Sequence, residues 1–172
     1  MATSFYDLTV GSFTQTVTAM AGVLERGLDH FKENNLDPEE IAGTRMFPNM
    51  LPFSFQIESV AHHSLGAIEA VKAGEFSPSG GLVNDYAGLQ GLLADTQAGL
   101  KALTPDEVEA LSGKDVMFKF RDNRIPFTAE NFIMSFSIPN FHFHATTAYD
   151  ILRMKGVPLG KRDYLGAMRI KT

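Results

Sequence analysis

The stretch from Ile138 to Gly166, IPNFHFHATTAYDILRMKGVPLGKRDYLG, limits the possible folds of this chain more than any other. Proline suits the first turn of a helix, because its missing N–H and fixed φ cost nothing there. Pro139 therefore marks a start, and residues 140–155 read as helix. Gly156 supplies the stop, and Pro158 just beyond it prevents resumption. At about 100° per residue, Phe141, His144, Ala145, Ala148, Ile151 and Leu152 share one face. That face is apolar except for one imidazole, while His142 points to the flank beside Tyr149. A helix built this way has to bury its stripe against other elements.

Three further stretches carry the same period. Leu8, Phe13, Val17, Met20, Leu24, Leu28 and Phe31 mark a first helix over residues 4–30 or slightly beyond. Asp37-Pro38-Glu39-Glu40 opens a short piece that Gly43 ends. The linker MFPNMLP carries two prolines and reads as extended or turned. Phe53, Ile57, Val60, Ser64, Ile68 and Val71 then stripe one continuous helix that stops at Gly74. Ser77-Pro78-Ser79-Gly80-Gly81 is a loop, long enough as part of residues 75–82 to cross a bundle. Leu89, Leu92, Leu93, Thr96, Leu100 and Leu103 define a helix over residues 84–103. Thr104-Pro105-Asp106-Glu107 caps a short one ending near Gly113. Residues 115–121 alternate Val116, Phe118 and Phe120 against Met117 and Lys119. With a turn at Asp122-Asn123 and a return over residues 125–127, they predict a small hairpin. Residues 128–137 read as helix, with a break at Pro139 before the last one. The expectation is an all-α single domain over residues 1–172 with a hairpin insert before the final helix.

Composition excludes more than it assigns. A net charge of −5 and the lack of any basic run leave no electrostatic footprint for nucleic acid or an anionic membrane surface. No apolar run approaches the ~20 residues needed to span a bilayer. Without cysteine there is no disulfide, thiolate ligand or thiol nucleophile. The opening residues lack the charged-then-apolar pattern of a leader, so a cytoplasmic location is expected.

The C-terminal run resembles the signature of a domain-of-unknown-function family grouped with the DinB/YfiT-like four-helix bundles. Pro139, Asn140, Phe141, Phe143, His144, Thr147, Ala148, Tyr149, Ile151, Leu152 and Arg153 stand in matching places. So do Gly156, Val157, Gly160, Lys161, Asp163, Leu165 and Gly166. The Asn49-Met50 turn followed by Phe53 and Gln56 is similar to that family's second-helix entrance, and Ala73-Gly74 to its exit. The resemblance implies an up-down-down-up four-helix bundle. In the wider superfamily it also implies a divalent metal, zinc or nickel, held by one histidine of the second helix and an H-x-x-x-H pair of the fourth. Some metal-bearing relatives are thiol transferases or isomerases. This chain departs from that pattern: four residues beyond His144 stands Ala148, and four beyond His142 stands Thr146.

The remaining candidates line the junction of the second and fourth helices. His63 lies at the edge of the second helix's stripe beside Gln56, whereas His62 sits opposite it. A pocket lined by His63, His144, Tyr149 and Gln56 would take a small molecule, and His63 and His144 are the candidate metal ligands. A third ligand would have to be a carboxylate or His30. The competing reading makes His144 a buried histidine bonded to Tyr149 or to a polar residue of the first two helices. Arg153, Lys161, Arg162 and Asp163 read either as an anion site or as a pin, with Asp163 pairing a nearby base to hold the tail. Two functions follow: a small-molecule-binding or non-catalytic protein, or a metal-dependent enzyme of thiol-transferase or hydrolase type. The apolar linker and the entry at residues 138–143 offer a partner surface, so a homodimer is expected.

Overall fold

The protein is described by a computed structural model covering residues 3–78, 83 and 85–171. One π-turn at Asp7–Gly11 leads into α1 (Ser12–Glu33), whose Phe13, Val17, Met20, Leu24 and Phe31 are fully buried. The short α2 (Pro38–Ala42) starts where Asp37 accepts a hydrogen bond from the Glu39 amide at 2.9 Å. After the linker come α3 (Phe53–His62) and α4 (Leu65–Ala73), then β1 (Glu75–Phe76). Asp85, accepting from the Gly88 amide at 2.7 Å, caps α5 (Tyr86–Ala102). A capping box of Thr104 and Glu107 starts α6 (Pro105–Glu109). Strands β2 (Asp115–Phe120) and β3 (Asn123–Thr128) follow. Then come α7 (Ala129–Phe132), a second π-turn (Ile133–Ser137), α8 (Ile138–Met154) and α9 (Lys161–Leu165).

Helix α1 packs on α5, α8 and α9, and α3 packs on α8 and α5. Phe13 meets Phe141 edge-on at 5.0 Å, joining α1 to α8. Tyr86 lies between Phe31 and Phe53 at ring distances of 5.9 and 6.1 Å. Its hydroxyl donates to the Leu24 carbonyl at 2.8 Å, and burial pushes the phenol above its ordinary pKa. Such close approach of α5 to α1 requires Gly27, since a Cβ there would lie 2.5 Å from the Tyr86 oxygen. Each of these large side chains contributes about 1.5–3 kcal/mol when removed from water. Among the described residues no helix is long and apolar enough to cross a membrane.

Three expectations need correction. The fold is mostly helical but not all-α, and its sheet is larger than a hairpin. β1 pairs parallel to β2, and β2 pairs antiparallel to β3. Gly74, at φ +77°, turns the end of α4 so that Glu75 and Phe76 run beside Met117 and Phe118. Part of the expected crossover loop is therefore strand, while Ser79, Gly80 and Gly81 lie outside the described residues.

The second helix is not continuous either. It breaks between His62 and Leu65, where buried Ser64 turns its hydroxyl back onto the Val60 carbonyl at 2.7 Å. That competition with the backbone ladder bends a helix. The stripe stays buried on both sides of the bend, through Ile57, Val60, Ile68 and Val71.

Pro139, finally, does not break the last helix. The chain coils without interruption from Ala129 to Met154, with the π-turn at Ile133–Ser137 just ahead of the proline. A wider turn leaves room for a ring that would clash with the carbonyl four residues back in a regular α-helix. Asn140 Nδ2 donates to the Phe136 carbonyl at 2.7 Å and helps satisfy this section.

Candidate functional site

The bend in the second helix and the π-turn before α8 face one another, and two histidines meet between them. His63 is the last residue before the bend and is 8% exposed. His144 projects from α8, half-buried. Their rings stack 13° from parallel with centroids 5.9 Å apart. Phe55 and Phe143 stand edge-on to His144 at 5.8 and 5.2 Å. Phe76 and Phe136 flank His63 at 5.3 and 5.5 Å.

Hydrogen bonds settle which nitrogen of each ring is left available. Gln56 Nε2 donates to the Leu51 carbonyl at 2.9 Å, which turns its amide oxygen toward α8. His144 Nδ1 lies 2.8 Å from that oxygen and so carries the proton, leaving Nε2 as a bare acceptor. Ser137, the last residue of the π-turn, donates its hydroxyl hydrogen to the His63 carbonyl at 3.0 Å. Its oxygen then faces His63 Nδ1 at 3.5 Å, which again places the ring proton on Nδ1. Among the described residues no buried side-chain nitrogen or oxygen lacks a partner. The two unbonded Nε2 atoms therefore border accessible space.

The electrostatics match this geometry. Burial, reinforced by neighbouring His62 and His144, lowers the pKa of His63 to about 3. Burial alone lowers that of His144 to about 4. Both rings are neutral at pH 7, and each keeps one unprotonated nitrogen.

Tyr149 is not part of this constellation. Its ring contacts Tyr164 of α9 at 6.0 Å. The Tyr164 hydroxyl lies 3.0 Å from His142 Nδ1 and accepts from Thr146 at 3.3 Å, forming a separate cluster on the flank of α8. His62 turns away to donate from Nε2 to the Ser77 carbonyl at 2.9 Å, with its ring against Phe76 at 4.4 Å. His30 sits at the end of α1 beside Asn34. Among the described residues no three histidine, cysteine, aspartate or glutamate side chains are grouped to hold a metal ion. The donor set at the junction thus offers an ion two imidazoles. At the tail, Asp163 pairs with Arg26 of α1 and also accepts from the Gly160 amide at 2.7 Å.

Gln56 and His144 were readable as candidates, but their pairing depends on the register between α3 and α8. Ser137 and Tyr164 carried no sequence signal of their own: serine before Ile-Pro and tyrosine near a terminus are common. Ser64, directly after two histidines at a helix's midpoint, was the one available hint of the bend.

The fold is shared with a solved structure. A DinB family member from Shewanella denitrificans superposes with a TM-score of 0.81 over 97% of this chain and 94% of its own, at 22% identity. At that identity the likeness speaks for the fold. No curated protein matches the chain. A family model described as "Domain of unknown function (DUF1993)" matches residues 5–165, and the protein belongs to that family.

Proposed function

We propose that this protein binds a small molecule at the His63–His144 junction, as a non-catalytic homodimer built on an up-down-down-up four-helix bundle. The observation that carries the reading is the Gln56 amide, which holds His144 with Nδ1 protonated and Nε2 open. A neutral imidazole in this state accepts a hydrogen bond from a ligand O–H or N–H. It is poorly suited to proton abstraction, because general bases work best with a pKa near the operating pH and these rings lie far below it. The aromatic edges of Phe55 and Phe143 suit a flat apolar body on such a donor. Leu51, bonded to Gln56, and Phe143, beside His144, are 48% and 57% exposed at this junction, and Phe47 of the same linker is 62% exposed, which supports a second copy as their cover. The acidic, cysteine-free composition supports a cytoplasmic setting.

A second reading keeps His63 and His144 as ligands of a divalent zinc or nickel ion in an enzyme of thiol-transferase or hydrolase type. It is favoured by the anchoring of His144 Nδ1 on an acceptor, the arrangement by which ligating histidines are oriented. Zinc or nickel would there supply a Lewis acid, with water or substrate completing its coordination.

Two measurements decide between them. Phenol titrated into protein labelled at the histidine rings should shift the His144 Nε2 resonance and that of its stacked neighbour His63, and the His63 shift should vanish in His144→Ala. An unmoved resonance removes the binding reading. Elemental analysis of untagged protein giving one zinc or nickel per chain, lost in His144→Ala, would replace it with the metal reading. Sedimentation showing a monomer at micromolar concentration removes the dimer.

A further inference from the structure

A cavity of about 300 Å³ opens between α3, α4 and α5, lined by His62 rather than by His63 or His144. Its walls are the apolar side chains of Ala61, Leu65, Val83 and Leu92. The bend at Ser64 starts α4 in a new direction, and Leu65, the first residue past it, packs onto α5 at Gly99. A Cβ on Gly99 would fall 2.3 Å from a Leu65 methyl, so this wall exists because that glycine admits it.

Among the described residues, the polar side chains of the lining share one property: they accept hydrogen bonds and have no donor left to give. The Thr96 hydroxyl spends its hydrogen on the Leu92 carbonyl at 2.7 Å. His62 spends its Nε2–H on Ser77, which leaves Nδ1 bare. Glu58 accepts from the Val83 amide at 2.6 Å and holds that wall in place. Glu69 and Asp95 complete the lining, both exposed. Among the described residues neither forms an ion pair, and no lysine or arginine lines the cavity.

We propose that this cavity binds an apolar ammonium ion, a primary amine on a short alkyl or single-ring body. An acceptor-only, carboxylate-bearing lining complements N–H donors and a positive charge, and the apolar walls complement a hydrocarbon. The volume lies at the lower end of the roughly 300–1,000 Å³ range of ligand pockets, which limits the body to a small one. The site is separate from the histidine junction and does not depend on it.

The test uses the full chain and three probes that share a hydrocarbon: n-octylammonium, n-octanol and n-octanoate. Each is followed by amide chemical shifts and calorimetry at low salt. Octylammonium should shift the amides of Ala61, Leu65 and Leu92 and bind roughly tenfold more tightly than octanol, with octanoate weakest. Glu69→Gln with Asp95→Asn, both at exposed positions, should bring octylammonium down to the affinity of octanol. Leu92→Trp should block all three while circular dichroism stays that of the parent. The proposal is overturned if octanoate binds as well as octylammonium. It is equally overturned if the shifts map elsewhere, or if the double variant keeps the preference. His144→Ala should leave these results unchanged, so failure here and failure at the histidine junction are read separately.

Discussion

His144 Nδ1 and the Gln56 side-chain oxygen meet at 2.8 Å across the α3–α8 interface, and this one bond decides the chemistry of the junction. It fixes the tautomer of His144 from the second helix. It also ties His144 to the linker, because the same amide donates to Leu51.

Changing Gln56 should therefore alter both stability and proton affinity. Gln56→Leu leaves the His144 Nδ1–H and the Leu51 carbonyl without this partner and should cost ~1–3 kcal/mol in chemical denaturation. Gln56→Glu places a carboxylate against the ring, which favours the charged imidazolium, so the His144 pKa should rise from about 4. Ring-proton NMR titration checks it, and an unchanged midpoint would show that the bond does not form.

Stability should fall on mild acidification. In the unfolded chain the histidines titrate near 6.5, while folded His63 and His144 take protons only near 3 and 4. Between those limits the unfolded state binds more protons, so stability is lost as pH drops below about 6.5. Each ring contributes a slope of at most about 1.4 kcal/mol per pH unit, less for half-exposed His144. Urea midpoints at pH 7.5 and 5 measure the effect, which should be smaller in His144→Gln. Equal midpoints in the parent would contradict the burial of these rings.

The α1–α5 crossing should show coupling between Gly27 and Tyr86. Gly27→Ala drives a methyl to within 2.5 Å of the tyrosine oxygen and should cost ~1–3 kcal/mol. Tyr86→Phe removes that oxygen and, by itself, loses the bond to Leu24 for about 1 kcal/mol. The double variant should lose less than the two costs added together. Strict additivity would mean that the helices separate rather than clash.

The tail should depend on Asp163 more than on Arg26. Arg26 is the more exposed partner, with 54% of its side chain accessible, so Arg26→Ala should change stability by only ~0–1 kcal/mol. Asp163→Ala also releases the Gly160 amide at the start of α9 and should cost more, by ~0.5–1.5 kcal/mol. Limited proteolysis after residue 155 would follow the same order. Equal susceptibility of the two variants would leave the ion pair as the only contribution of Asp163.

The residues themselves determined which faces are buried and where most elements start. Phe141, Ala145, Ala148, Ile151 and Leu152 recur at helical spacing, and all are buried, because periodicity is a local property that transfer from water rewards in any helical fold. The Asp37, Asp85 and Thr104 caps lie within three residues of the amides they satisfy. Tertiary structure decided the rest. Strand β1 exists only because β2, about forty residues further on, offers an edge to Phe76. Pro139 continues a helix because the preceding turn widens, and Ser64 bends one where an unbroken apolar stripe predicts none. The pairing of Gln56 with His144, the stacking of His63 on that ring and the separation of Tyr149 from both depend on how α3, α8 and α9 are seated. No local pattern encodes that seating, because it is selected by the packing of all the buried faces at once.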